Sequence, residues 1–179
     1  MHGRIDFISG LPDGFSWFNR PVDFQVDNGL HITTGPETDF WQRTHYGFQN
    51  DNGHALLCGM SGDFSMETAV RFTFKNRYDQ CGLLLRLDAE NWIKFSTEYE
   101  TPQLSMLGSV VTNLGYSDWA TTELDGDPGQ MWYRISKNGP DFLLQASNDG
   151  RKWQQQRVAH LHAPCETIQA GLYACTPVD

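Results

Sequence analysis

Asn-Gly and Asp-Gly pairs recur along this chain between short runs in which apolar and polar residues alternate. The pairs lie at Asn28-Gly29, Asn52-Gly53, Asn138-Gly139 and Asp149-Gly150. Residues of this kind adopt the positive φ angles that a tight β-hairpin requires. Between them, no apolar pattern of helical period continues for as many as about ten residues. The sequence therefore predicts an all-β, antiparallel fold.

The length of the chain favours a single domain. It has 179 residues, and β-sandwiches of this size are commonly undivided. No internal repeat, low-complexity tract or Pro/Ser-rich linker interrupts the sequence. We expect one domain over residues 1–179, folded as a two-sheet antiparallel jelly-roll sandwich. Its predicted strands lie between Val22 and Ala174, with none predicted between Thr112 and Met131.

Three predicted strands share one pattern of alternation, in which one face is apolar and the other carries Trp, Arg, Lys and Glu. They are Cys81–Asp88, Trp92–Glu100 and Met131–Lys137. Successive side chains of a strand point to opposite faces of the sheet, so the apolar set is predicted to form the core. That set comprises Cys81, Leu83, Leu85, Leu87, Ile93, Phe95, Thr97, Tyr99, Met131, Tyr133 and Ile135.

The opposite face of these strands is the candidate ligand-binding surface. It is predicted to carry Trp92, Lys94 and Glu98, together with Arg86 and Arg134. Saccharides bind where an aromatic plate meets their apolar face and where charged or amide groups meet their hydroxyls. We therefore expect a concave sheet face that binds a saccharide or small polar metabolite, with Trp92 partly exposed. The alternative is a cross-strand ladder of ion pairs, each contributing about 0.2–1 kcal/mol to the stability of the sheet.

Predicted loops add further candidates at the rim of the sandwich. Asp79 and Gln80 fit either a turn-capping role or ligand binding, and Trp119 is a candidate aromatic contact. Asp39 and Asp118 also precede aromatic residues, and we interpret both mainly as caps of turns. The candidate ligand-binding set is therefore Trp92, Lys94, Glu98, Arg86, Arg134, Asp79, Gln80 and Trp119.

Glu98 and Glu100 raise the narrower hypothesis of a glycoside hydrolase. Both point to one face of a strand, with Cα atoms about 6.6–6.8 Å apart. Retaining enzymes separate their two carboxyl groups by about 5–5.5 Å and inverting enzymes by about 6.5–9.5 Å. However, Pro102 ends this strand, and no third carboxylate follows on it. We assign no catalytic residue, and hydrolysis ranks below binding.

Charge and composition exclude other classes of function. The formal net charge is −9, which disfavours nucleic acid and anionic membrane surfaces as partners. No apolar window is long enough to span a membrane, and no secretory signal is visible, so we expect a cytoplasmic protein. The four cysteines lack the paired spacing of a zinc site and are predicted to be free, buried thiols. Neither the His160/His162 pair nor the Asn50–Gly53 turn predicts a metal site, and we expect no cofactor.

Several short motifs occur together in a fixed order. They are Thr38-Asp39-Phe40-Trp41, Tyr78-Asp79-Gln80-Cys81-Gly82-Leu83, Asn91-Trp92-Ile93-Lys94 with Glu98, Val110-Val111-Thr112, Ser117-Asp118-Trp119, and Ser147-Asn148-Asp149-Gly150 with Trp153. This series resembles the family known as domain of unknown function 1349, which includes the fungal regulator-of-enolase proteins, over roughly residues 13–177. The resemblance implies a concanavalin A-like sandwich of the lectin/glucanase superfamily. It also implies an alternative function, a protein-interaction scaffold that regulates a metabolic enzyme.

Overall fold

The computed structural model describes residues 3–179, which form β-strands and connecting loops without any helix. All strand pairs are antiparallel. The strands are β1 (Ser16–Phe18), β2 (Asp23–Val26), β3 (Leu30–Thr33), β4 (Phe40–Gln42), β5 (Gln49–Asp51), β6 (His54–Ser61), β7 (Phe64–Arg71), β8 (Gln80–Asp88), β9 (Asn91–Thr101), β10 (Leu104–Asn113), β11 (Tyr116–Asp125), β12 (Gln130–Asn138), β13 (Asp141–Ser147), β14 (Gln154–His160) and β15 (Thr167–Cys175).

Two main sheets pack face to face. The larger has seven strands in the order β1-β6-β15-β8-β9-β10-β11, and the smaller has four in the order β14-β13-β12-β7. Two hairpins, β2–β3 and β4–β5, are separate from both. The predicted all-β sandwich is confirmed.

The hydrophobic core lies between the two main sheets. Leu83, Leu85, Ile93 and Phe95 reach it from the seven-stranded sheet, and all four are fully buried. The four-stranded sheet contributes Met131, Tyr133 and Ile135, as the alternation predicts. Each such side chain contributes about 1.5–3 kcal/mol through burial. The Tyr133 hydroxyl donates to Thr97 Oγ1 at 2.6 Å, so this polar atom has a partner inside the core.

The other face of the seven-stranded sheet is also covered over part of its area. A second cluster of buried residues there joins Leu84, Trp92 and Tyr173 of the sheet to Phe40 and Trp41 of the β4–β5 hairpin. The rings of Phe40 and Trp92 lie 6.0 Å apart. This hairpin therefore acts as a partial third layer, which the strand alternation alone does not predict.

Strand β11 lies where no strand is predicted. It pairs with β10 from Tyr116 to Asp125 and forms the edge of the seven-stranded sheet. Most of its side chains are exposed, including a run of Thr, Glu and Asp. An edge strand with little buried surface lacks the apolar alternation from which a strand is recognised, whereas its backbone pairs with the neighbouring strand.

Candidate functional site

A cavity of about 590 Å³ lies on the face of the seven-stranded sheet that points away from the core. Strands β8, β9 and β10 form its floor through Gln80, Lys94, Ser96, Glu98 and Val110. The β4–β5 hairpin and its connecting loop, with Trp119 of β11, form an aromatic wall. The cavity begins beside the region where the same hairpin covers the sheet.

Strand register explains how the floor is assembled. Lys94, Ser96 and Glu98 alternate along β9, so their side chains share one face. Gln80 lies directly opposite Glu98 on β8, and Gly108 lies opposite Ser96 on β10. A side chain at Gly108 would bring its Cβ within 3.1 Å of the Trp119 Nε1 atom. The absence of a side chain at this position therefore leaves room for the indole ring over the sheet.

Lys94 and Asp39 form an ion pair in the floor of the cavity. The distance between Lys94 Nζ and Asp39 Oδ1 is 2.9 Å, and only 7% and 13% of the two side chains are exposed. Burial is the largest single effect and lowers the pKa of Lys94, but the surrounding negative charges, chiefly that of Asp39, together raise it by more, so the net pKa lies above the ordinary value. Asp39 also accepts the Phe40 backbone N–H at 2.7 Å, which fixes its position at the start of β4. Asp39 therefore holds the first backbone N–H of β4 and also lines the cavity, and its predicted role as the cap of a turn stays a prediction.

Glu98 lies deeper in the site than its surface-like sequence pattern suggests. Gln80 Nε2 donates a hydrogen bond to Glu98 Oε2 at 3.0 Å. The Gln80 carbonyl oxygen in turn lies 3.1 Å from the buried Tyr173 hydroxyl, which holds the amide in place. Burial raises the pKa of Glu98 to about 7, opposed by the positive charge of Lys94. This carboxyl group therefore changes its charge near neutral pH.

Glu100 and Arg77 form a second ion pair at the edge of the cavity. Arg77 Nε lies 2.7 Å from Glu100 Oε2, and the Arg77 guanidinium sits 4.5 Å from the centroid of the Tyr78 ring. All three residues line the cavity. Because more than half of the Arg77 side chain is exposed, this pair contributes little to stability. For the site, the pair means that the positive charge of Arg77 already balances the Glu100 carboxylate.

Four aromatic rings surround the mouth of the cavity. Trp41 is buried at the centre of the group, with ring centroids 5.3 Å from Tyr46, 6.4 Å from Phe48 and 6.3 Å from Trp119. The outer three rings are 53%, 44% and 40% exposed, respectively. Exposed aromatic groups of this size, clustered at a cavity, are typical of surfaces that bind ligands.

The structure brings half of the predicted site residues to this cavity. Lys94, Glu98, Gln80 and Trp119 line it. Trp92 is fully buried, with its ring against Phe40 and its indole N–H donating to the Ala89 carbonyl at 3.2 Å. The expectation that Trp92 is partly exposed is therefore wrong, because the β4–β5 hairpin covers it.

The two predicted arginines point elsewhere. Arg86 shares the sheet face of Lys94, but its guanidinium pairs with Asp51 at 2.6 Å and lies over the Phe18 ring. Arg134 belongs to β12 of the other sheet, where it pairs with Glu67 at 2.8 Å and stacks on Trp153. The prediction placed it beside Trp92 because strands of both sheets alternate alike, and alternation does not identify the sheet.

Asp79 has a structural role. Its Oδ2 atom accepts the backbone N–H groups of Lys75 and Asn76 at 2.8 and 2.9 Å, which closes the turn before β8. It does not line the cavity, although the adjacent Gln80 does. Of the two roles that the sequence left open for Asp79, the structure therefore favours turn capping.

Several cavity residues lie outside the candidate ligand-binding set that was predicted from the sequence. They are Trp41, Tyr46, Phe48, Arg77 and Ser96. A signal for the first three exists in the density of aromatic residues in the segment from Phe40 to Phe48. Arg77 comes to the cavity through the loop before β8, and no pattern of residues marks it.

Residues 3–179 contain no group of three or more His, Cys, Asp or Glu side chains arranged to hold a metal ion. None of the secondary structure described there is a helix of the length and apolarity needed to cross a membrane.

Comparison with known proteins gives a consistent family assignment. Residues 17–179 match the model of a family described as "Protein of unknown function (DUF1349)". "Regulation of enolase protein 1" of Saccharomyces cerevisiae is 33% identical over 163 residues, which are 90% of this chain and 81% of that protein.

Solved structures agree with this assignment. The crystal structure of a functionally unknown protein from Saccharomyces cerevisiae superposes with a TM-score of 0.85 and 31% identity, covering 92% of this chain and 88% of that one. A xylan β-1,4-xylosidase from Bacillus halodurans matches with a TM-score of 0.71 but 12% identity, and it covers 96% of this chain and 35% of the enzyme. The second likeness shows the concanavalin A-like sandwich alone. The chain belongs to the DUF1349 family.

Proposed function

We propose that this chain is a binding module for a saccharide or small polar ligand, which occupies the cavity on the seven-stranded sheet. The observation that carries the proposal is the pairing of exposed aromatic rings at the mouth with a polar floor inside. The cavity volume of about 590 Å³ lies within the range of roughly 300–1,000 Å³ usual for sites that bind small molecules.

The chemistry of the two surfaces suits a sugar. Trp119, Tyr46 and Phe48 present ring faces on which the apolar face of a pyranose stacks. On the floor, the Glu98 oxygen that Gln80 leaves free accepts hydrogen bonds from sugar hydroxyl groups, whereas the Gln80 amide and the Ser96 hydroxyl are already bonded to Tyr173. The aromatic contacts contribute affinity, and the polar groups determine which hydroxyl pattern fits.

Binding without turnover is the form of the proposal that we favour. A hydrolase needs a second carboxyl group free to act beside Glu98, and the nearest on its strand, Glu100, is held by Arg77 at 2.7 Å. Hydrolysis therefore remains the third alternative, below ligand binding and protein regulation.

The decisive test is affinity for a glycan panel, followed by calorimetry with Trp119→Ala. We expect this variant to lose affinity by at least about tenfold, because it removes an exposed stacking ring. Val158→Ala is the matched control, since Val158 is 64% exposed on the other sheet and should leave affinity unchanged. Equal affinity of wild type and Trp119→Ala, or no binding to any glycan, would contradict the proposal.

Regulation of a metabolic enzyme is the second candidate, and the specific observation in its favour is the 33% identity to the yeast regulator of enolase. On this alternative the exposed rings of Tyr46 and Phe48 contact a protein, and the setting is cytoplasmic. Titration of purified enolase with this chain tests it directly. A complex weakened by Tyr46→Ala and unaffected by glycans favours regulation, whereas no complex at any accessible concentration argues against it. The expected lack of nucleic-acid and membrane partners stays a prediction from the net charge of −9.

A further inference from the structure

The charges around the cavity do not balance. Three carboxyl groups line it, those of Asp39, Glu98 and Glu100, against two cations, Lys94 and Arg77. Lys94 is paired with Asp39 at 2.9 Å and Arg77 with Glu100 at 2.7 Å. Glu98 is the carboxyl group left over, and no ion pair within residues 3–179 includes it.

The contacts of Glu98 leave one side of its carboxyl group open to the cavity. Across the described part of the chain, its only side-chain hydrogen bond comes from the Gln80 amide. The residue opposite it on β10 is Met106, which carries no charge. The remaining charged or titratable groups that act on Glu98 from surrounding elements are Asp39, Lys94, Glu100, Arg77 and, from β15, the buried Tyr173 and Cys175. When it is ionised, Glu98 therefore presents to a ligand in this cavity a negative charge that no cation of residues 3–179 pairs with.

The aromatic rings at the mouth of the cavity also favour a positively charged ligand. The face of an aromatic ring carries negative electrostatic potential, which attracts cations, most strongly for Trp. Trp41, Tyr46, Phe48 and Trp119 form one contiguous group at the cavity. The rings and Glu98 therefore act together on a ligand that carries a positive charge on a partly apolar body.

The distance between these features sets the size of the ligand. Trp119 and Glu98 are two strands and four residues apart in register, which corresponds to roughly 16 Å between Cα atoms. The Trp119 indole reaches back over Gly108, two residues nearer to Glu98. Gly108 is one strand and two residues from Glu98, roughly 8 Å between Cα atoms, so a sugar ring with its substituents spans the gap and a single small ammonium compound does not.

We infer that the ligand of this cavity is an amino sugar, whose ammonium group pairs with Glu98 while its apolar face stacks on Trp119. This inference rests on the proposed saccharide-binding function and specifies its substrate class. A neutral sugar fills the same space but leaves the Glu98 charge uncompensated.

The first test compares β-1,4-linked disaccharides that differ only at C2. They are cellobiose, with hydroxyl groups, the N-acetylated dimer of glucosamine, with neutral amides, its deacetylated form, with amines, and the N,N,N-trimethylated form, whose charge does not titrate. At neutral pH we expect the two cationic forms to bind at least about tenfold more tightly than both neutral forms. In Glu98→Gln this preference should disappear.

The matched control is Glu123→Gln, which makes the same change in net charge. Glu123 is exposed on β11 and does not line the cavity, so this variant should keep the full preference. If both variants lose the preference equally, attraction by the net charge explains it and the inference fails.

Ionisation of Glu98 gives a second readout. Its pKa is about 7, so the ionised fraction rises more than tenfold from about pH 5.5 to about pH 7. Affinity for the trimethylated disaccharide should rise by about tenfold over this interval in the wild type and stay flat in Glu98→Gln. A flat profile in both proteins would overturn the role of Glu98.

The outcomes separate this inference from the function on which it rests. If all four disaccharides bind equally and Trp119→Ala weakens each of them, the cavity binds saccharides but does not select amino sugars. If none of the four binds while another glycan of the panel does, the substrate class is wrong. If no glycan binds, both the function and the inference fail.

Discussion

Single residues around the cavity divide into those that hold the fold and those that are free to meet a ligand. Trp92 and Trp119 illustrate the division, because they lie on the same sheet face but are 0% and 40% exposed. Glu98 lies between these extremes, since it is enclosed enough for its pKa to shift yet lines the cavity. We therefore expect substitutions at these three positions to have different effects on the stability of the fold.

Glu98 should make stability fall as pH rises. Its pKa is raised from an ordinary value near 4.5 to about 7 by burial, so the folded state binds more protons than the unfolded state between these values. The associated stability is fully present below about pH 4.5 and is lost as pH rises through about 7. We therefore expect Glu98→Gln to exceed the wild type by about 1–3 kcal/mol in free energy of unfolding near pH 8.

Urea denaturation of both proteins across this pH range measures the effect. The two should be nearly equal well below pH 4.5, because Glu98 is then mostly neutral in both the folded and the unfolded state. A difference in stability that does not change with pH would show that Glu98 keeps its ordinary pKa in the folded protein.

Trp92→Ala and Trp119→Ala should have clearly different melting temperatures. Trp92 is fully buried against Phe40, so its removal should cost about 3–5 kcal/mol. Such a loss is a large part of the stability of a domain of this size and should abolish or strongly lower the unfolding transition. Trp119 is exposed on an edge strand, and its removal should shift the melting temperature by only a few degrees. Similar melting temperatures for the two variants would contradict this assignment of burial.

At the scale of elements, the β4–β5 hairpin and strand β11 create the site. The hairpin covers one part of the seven-stranded sheet and leaves the adjacent part as the cavity floor. Strand β11 supplies Trp119 from the sheet edge. Neither element has a long apolar pattern, so both take their conformation from the strands they contact.

Amide hydrogen exchange should be slower in the central strand β9 than in the edge strand β11. Strand β9 is paired on both sides, by β8 and β10, and is buried over most of its length, whereas β11 is paired on one side only. We expect the amides of β9 to be among the slowest to exchange and those of β11 to exchange faster by at least about tenfold. Mass spectrometry of peptides from the two strands measures this ratio. Equal protection would indicate that β11 is covered in solution by a partner or a second copy.

For the whole molecule, cohesion comes from apolar packing between the sheets rather than from covalent links. Cys58, Cys81, Cys165 and Cys175 are all free, and none of them is exposed. Burial raises the pKa of Cys81 to about 12, so its reactive thiolate form is scarce at neutral pH. The cysteines therefore behave as small apolar side chains.

Reducing agents should consequently leave the melting temperature unchanged. A structural disulfide typically contributes about 2–4 kcal/mol, so its reduction would shift the transition by several degrees. Differential scanning calorimetry with and without dithiothreitol makes the comparison, and a thiol count in denaturant should give four per chain. A fall in melting temperature on reduction would contradict the free state of these cysteines.

The sequence alone determines the fold class and most of the core. Turn pairs such as Asn138-Gly139 fix where the chain reverses, and period-two alternation fixes which side chains of β8, β9 and β12 face inward, because both depend only on local backbone geometry. The same alternation correctly puts Lys94 and Glu98 on one face. The resemblance of the ordered motifs to one family is likewise contained in the sequence.

Only the tertiary structure decides what covers each face. Trp92, Lys94 and Glu98 follow one alternating pattern, yet the β4–β5 hairpin buries the first and leaves the third at the cavity. Arg134 has the same pattern as Arg86 but lies in the other sheet. Local sequence sets the direction of a side chain relative to its own strand, whereas exposure depends on contacts between segments far apart in the chain, such as Phe40 with Trp92 and Asp39 with Lys94. Those contacts, and not the strand pattern, leave Glu98 as the cavity carboxyl group that no cation of residues 3–179 pairs with.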